Sequence, residues 1–133
     1  MECIGKVLKE HSETVYGIIR AVIGLLFMQH GLMKLGALSG AAQETFSLMW
    51  TVGVFEVIVG TFLLLGLFVR AGAIIGIVIM ISAYYRVHMS QALHPLDNGG
   101  QLALVFLFIF VYFLFKGAGK LSLEKKYFKK ECF

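Results

Sequence analysis

Long apolar stretches alternate with short polar segments along this chain, and this pattern predicts membrane-spanning helices. Four stretches are long enough to cross a bilayer, at residues 15–35, 50–68, 71–87 and 99–115. A transmembrane helix needs about 20 residues, within a range of about 17–25. Backbone groups in hydrocarbon must also be paired internally, which favours helices. The sequence therefore predicts an all-α membrane protein, a bundle of four transmembrane helices.

The connections between these stretches are short and indicate one domain over residues 1–133. The longest covers residues 36–49, a tight turn lies around residues 69–70, and residues 89–98 end in the turn signal Asp97-Asn98-Gly99. A basic tail follows at residues 119–133, where lysines alternate with apolar residues. This pattern favours an interfacial helix held by anionic lipid. A docking site for a cytoplasmic partner is the alternative.

Composition supports the membrane interpretation and removes several other classes. The chain is 59% hydrophobic and only 15% charged, with a formal net charge of +4. Its lysines directly follow an apolar run, which indicates a membrane-surface anchor and not a nucleic-acid interface. The two cysteines, Cys3 and Cys132, lie at opposite ends of the chain without a Cys-x-x-Cys motif, so we expect no metal site.

The distribution of lysine and arginine predicts the orientation. With four spans, one side of the membrane holds only Lys34 and Arg86, and the other side holds the rest of the twelve basic residues: Lys6, Lys9, Arg20, Arg70, Lys116, Lys120, Lys125, Lys126, Lys129 and Lys130. Under the positive-inside rule, both termini face the cytoplasm. We expect a multi-pass protein of the plasma membrane.

Polar groups from all four predicted helices gather at one depth, near the extracytoplasmic surface. Ionisable residues within spans are costly and usually face the bundle interior or a water-filled cavity. Their shared depth makes them candidate ligand-binding residues: His30, Lys34, Glu56, Arg86, His88, Asn98 and Gln101. Glycines at helical spacing lie on the same faces as several of these residues, which places the polar groups between helices.

Each of these residues also has a purely structural interpretation. Lys34 and Glu56 are candidates for an ion pair that only fixes helix order. Arg86 and His88 are typical of interfacial anchors. Arg20 lies apart, toward the cytoplasmic side, and is expected either to extend to the interface or to join a structural ion pair with Glu13.

A family resemblance runs through these residues. The first span carries Arg20, Gly24, Phe27, Gly31 and Lys34, and the second carries Glu56-x-x-x-Gly60 and then Leu65-Gly66-Leu67-x-x-Arg70. Later elements are His88, the run Asn98-Gly99-Gly100, and Gly117-Ala-Gly119 through Glu124. Together they resemble the DoxX family of small four-helix membrane proteins, over about residues 15–125. Family members often carry a glutamate just after Asn-Gly-Gly, whereas this chain has Gln101.

The resemblance implies a redox setting without fixing the chemistry. Some relatives are membrane subunits of quinone-linked oxidoreductases, and distant ones act as chaperones or cargo receptors. The first hypothesis is therefore a quinone- or quinol-linked membrane subunit, with partner redox subunits or a second copy of the chain. The alternative is a non-enzymatic scaffold or chaperone that recruits a partner through its helices and basic tail. Haem ligation by His30 and His88 is the least favoured hypothesis.

Overall fold

A computed structural model describes residues 2–40 and 42–128. Those residues form helices and connecting segments without strands, which confirms the all-α prediction. The last five residues of the basic tail, Cys132 among them, lie outside the described ranges. The helices are α1 (Glu2–Lys34), α2 (Leu48–Leu65), α3 (Val69–Ala83), a π-helical turn (Tyr84–His88), α4 (Gln101–Lys116) and α5 (Leu123–Phe128).

Three of these helices are long and apolar enough to cross a membrane: α1, α2, and α3 together with its π-helical turn. The apolar helix α4 is shorter, with 16 residues, or about 24 Å at 1.5 Å per residue. Helix α1 begins well before the predicted span and has 33 residues, about 50 Å. Since a hydrocarbon core is about 30 Å thick, the polar first part of α1 is the part that extends beyond it.

Local sequence signals explain the ends of α2. Ser47 caps its first turn by accepting a hydrogen bond from the Trp50 amide at 3.1 Å. Gly66 ends it in the left-handed conformation, with φ at 67°. Helix α3 begins three residues later at Val69, so the tight turn lies at residues 66–68, just before its predicted place at residues 69–70.

Glycines allow α1 and α2 to cross at close range. A Cβ atom on Gly60 would lie 2.6 Å from the Gly24 carbonyl oxygen, and one on Gly31 would lie 2.5 Å from the Gly53 carbonyl oxygen. Gly76 of α3 likewise admits the Phe110 ring of α4. These glycine faces are thus covered within one chain, so they give no argument for a homodimer.

The C-terminal segment, residues 117–124, folds back against the end of the bundle where α1 and α2 pack. The Arg20 guanidinium donates to the backbone carbonyls of Leu63, Ala118 and Leu121. Arg20 is only 2% exposed, so it does not extend to the interface. Its suggested partner Glu13 instead accepts from Lys116 at 2.6 Å. Arg20 is therefore a cross-link between α1, α2 and the C-terminal segment.

Candidate functional site

Four of the predicted ligand-binding residues line one small cavity between the helices. His30 and Lys34 come from α1, Glu56 from α2 and His88 from the π-helical turn. The cavity has a volume of about 190 Å³, and its other lining residues are apolar or small: Phe27, Met80, Ala83, Gly99, Leu102, Ala103 and Phe106. We call it the Glu56 cavity. Every helix from α1 to α4 contributes to its wall.

Glu56 is the buried polar centre of this cavity. It lies between Gly53 and Gly60 on the face of α2 that packs against α1, and it is 2% exposed. The Lys34 Nζ donates to its Oε1 at 2.5 Å, and the Lys34 side chain is about a quarter exposed (27%). The second carboxylate oxygen, Oε2, has no hydrogen-bond partner among the described residues. An unpaired buried charged group is costly, so this oxygen is the strongest candidate in the cavity for accepting a hydrogen bond from a ligand.

The two histidines are held in defined tautomers by backbone carbonyls. His88 Nδ1 lies 2.9 Å from the Asn98 carbonyl oxygen, and His30 Nδ1 lies 2.9 Å from the Leu26 carbonyl oxygen. A carbonyl only accepts, so both Nδ1 atoms must carry the proton. In the neutral ring Nε2 is then an acceptor.

A larger cleft adjoins the Glu56 cavity between α2 and α3. Its volume is about 480 Å³, and Lys34 and His88 line both spaces. Arg86 also lines this α2–α3 cleft, whose other residues are mainly apolar: Leu48, Met49, Val52, Val78, Ile79, Ser82, Ala83 and Val87. The polar side chains thus lie at the junction between a small polar cavity and a larger apolar cleft.

The remaining predicted residues have different places. Asn98 is buried, and its side chain accepts from the Gly100 amide and donates to the Ala92 carbonyl. It shapes the loop that holds His88 and lines neither space. Gln101 is exposed at the start of α4 and also lines neither space.

The sequence prediction missed the apolar walls of the site. Phe106 closes the Glu56 cavity, and its ring lies 5.8 Å from the His30 ring in an edge-on arrangement. Helix α4 offers several phenylalanines at similar spacing, so nothing in the sequence singles out this one.

Together these features define a small polytopic helical membrane protein with a polar cavity between its helices. The chain belongs to the DoxX family, whose family model matches residues 16–89. It is 33% identical over 131 residues to a Haemophilus influenzae protein described as an uncharacterized protein, covering 92% of this chain and 98% of that one. No solved structure matches the chain.

Proposed function

We propose that this chain is a four-span subunit of the plasma membrane that binds an amphipathic, quinone-type molecule between its helices. The observation that carries the proposal is the position of the Lys34–Glu56 pair: both residues line the Glu56 cavity, and Lys34 also lines the α2–α3 cleft. A molecule with a polar head and an apolar body needs this combination of surfaces.

The sizes of the two spaces support this ligand class. Pockets for drug-sized molecules usually measure about 300–1,000 Å³. The α2–α3 cleft, at about 480 Å³, lies in that range, whereas the Glu56 cavity, at about 190 Å³, is below it. The cavity therefore suits a single ring or a small headgroup and argues against a porphyrin between His30 and His88. In the proposal, the head enters the cavity and the apolar body lies in the cleft.

The polar residues have distinct roles in this arrangement. Lys34 and Arg86 supply positive charge beside the ligand, and Lys34 also orients the Glu56 carboxylate. His30, His88 and Glu56 are the groups able to exchange protons with a bound head. The chain then contributes the binding site and the proton-exchanging groups, while a partner redox subunit exchanges the electrons.

The proposed orientation has support from one end of the structure. The Glu13–Lys116 pair, at 2.6 Å, and the hydrogen bond from the Lys120 amide to Glu13 place the early part of α1 beside the C-terminal segment. The basic residues of both therefore gather at one end, as the positive-inside rule requires of a cytoplasmic side. Reporter fusions at the C terminus and within residues 89–98 test this orientation, and the two should report opposite sides.

The test of function is extraction of the purified protein. Protein isolated in mild detergent is extracted with organic solvent, and the extract is assayed by mass spectrometry for quinones. We expect a near-stoichiometric quinone that is lost in Lys34→Ala and Glu56→Gln but kept in Lys9→Ala, an exposed lysine of α1. An extract without quinone, together with no titratable binding of added quinone, contradicts the proposal.

A scaffold or chaperone is the second candidate, and one observation favours it. Tyr127 and Phe128 of α5 are exposed beside Lys125 and Lys126, so α5 presents aromatic and basic side chains together. In this case the Lys34–Glu56 pair only fixes α1 against α2. An empty extract, with Lys34→Ala and Glu56→Gln merely less stable, supports this candidate. A defined binding partner lost on truncation after residue 122 is then the expected result.

A further inference from the structure

The Glu56 cavity has an imbalance between hydrogen-bond acceptors and donors. Glu56 Oε2 is buried and has no partner among the described residues. Lys34 uses one of its three N–H donors on Oε1, at 2.5 Å. As the ion-pair partner of Lys34, Glu56 acts as a carboxylate, whose oxygens only accept. Oε2 is therefore an acceptor that a hydrogen-bond donor on a bound molecule can use.

The histidines increase this imbalance. His30 and His88 each use the Nδ1 proton on a backbone carbonyl. A neutral imidazole in this tautomer offers only its Nε2 atom, as an acceptor, to a molecule that binds beside it. The other lining residues are apolar or glycine, so they supply neither donors nor acceptors from their side chains.

We infer that the Glu56 cavity selects a head group that donates a hydrogen bond, and that among quinone-type ligands it prefers the hydroxylated quinol to the oxidised quinone. This inference rests on the proposed function, because it names the redox form that the same site retains. A quinol carries O–H donors that Oε2 of Glu56 accepts. A quinone carries only carbonyl acceptors, so it can accept from Lys34 but leaves Oε2 unpaired.

The size of the preference follows from one hydrogen bond to a charged acceptor. Such a bond shifts an equilibrium by about 10-fold or more, so the quinol should bind at least about 10-fold more tightly than the quinone. Tighter binding of the reduced form also raises the midpoint potential of the bound couple. For a two-electron couple, a 10-fold ratio corresponds to about 30 mV.

The experiment compares the two redox forms of one probe. A decyl-substituted benzoquinone and its chemically reduced quinol are bound anaerobically to the detergent-solubilised full chain, and dissociation constants are measured by equilibrium dialysis. Wild-type protein should favour the quinol by about 10-fold. In Glu56→Gln the amide offers a donor as well as an acceptor, so the added probe should bind more weakly, too weakly to copurify, and the ratio should fall to about one. Lys9→Ala is the matched control and should keep the wild-type ratio.

The outcomes separate this inference from the proposed function. Binding of neither form to wild-type protein overturns both. Equal binding of the two forms to wild-type protein, or a quinol preference that survives in Glu56→Gln, overturns the inference alone. If Glu56→Gln does not fold, the midpoint potential of the quinone bound to wild-type protein tests the inference instead. A rise of about 30 mV over the same quinone in empty micelles supports the inference, and an unchanged potential refutes it.

Discussion

Replacing Arg20 with methionine is the most informative test of how the bundle is held together. The Arg20 guanidinium lies where α1, α2 and the C-terminal segment meet. It donates to the Leu63 carbonyl of α2 and to the Ala118 and Leu121 carbonyls of the C-terminal segment. Methionine retains much of the side-chain length and removes all three donors. The carbonyls at Leu63 and Ala118 are buried, so water does not readily replace the lost bonds.

The expected loss of stability can be worked out from these contacts. A hydrogen bond to a charged group contributes about 1.5–3 kcal/mol. The two buried bonds therefore contribute about 3–6 kcal/mol together, and the partly buried bond to the Leu121 carbonyl adds less. Since whole domains are stable by about 5–15 kcal/mol, Arg20→Met should leave a severely destabilised protein. Arg20→Lys keeps the charge and one donor group, so it should lie between Arg20→Met and wild type.

Thermal unfolding in detergent measures the loss of stability, and limited proteolysis measures the release of the C-terminal segment. Arg20→Met should unfold at a clearly lower temperature and release the segment much faster than wild type. Arg86→Met is the matched control, because Arg86 is exposed in the π-helical turn at the end of α3. If Arg20→Met is within about 1 kcal/mol of the control, the three bonds do not hold the segment, and the proposed cross-link is refuted.

Three further predictions concern the packing of the helices. Gly60→Ala should lower the free energy of unfolding by about 1–3 kcal/mol, because the added Cβ would lie 2.6 Å from backbone atoms. Gly72→Ala should be neutral or stabilising, because the nearest atom to its added Cβ is 3.5 Å away. Comparison of the unfolding temperatures of the two variants tests this. Tyr16→Phe removes a 2.5 Å hydrogen bond to the C-terminal segment and should cost about 1 kcal/mol, seen as faster proteolysis of that segment. The Glu13–Lys116 pair is partly exposed, so it should contribute little to stability. A double-mutant cycle with a large coupling that persists at high salt would contradict this.

The candidate site was only partly predictable from the sequence. The depth of a residue in the membrane follows from its position within its span and the helical rise per residue. The spans alone therefore predict that His30, Lys34, Glu56 and His88 lie at a similar depth. The helical periodicity of Gly53, Glu56 and Gly60 also placed Glu56 on a packing face. Depth does not separate a side chain that enters a cavity from one that faces outward, so it predicts Gln101 as a site residue although Gln101 lines neither space.

Arg20 and Glu124 show what local sequence does not reveal. Arg20 looks like a helix-end residue that reaches for water, yet it is buried because carbonyls more than 40 residues away surround it. Glu124 lies in a basic tail, yet it is buried and accepts a hydrogen bond from the Phe68 amide at the start of α3. Both environments are made by the return of the C-terminal segment, which no pattern of spacing encodes.

The sequence by itself determined that this chain is helical, apolar enough for a membrane, and a member of the DoxX family. It did so because hydrocarbon imposes long apolar stretches with internally paired backbones, a constraint that is visible residue by residue. Only the tertiary structure decided which polar atoms are paired and which are not. The engagement of Glu56 Oε1 by Lys34, and the lack of a partner for Oε2 among the described residues, depend on distances between side chains of different helices. Those distances are fixed by how closely the glycines let α1 and α2 approach.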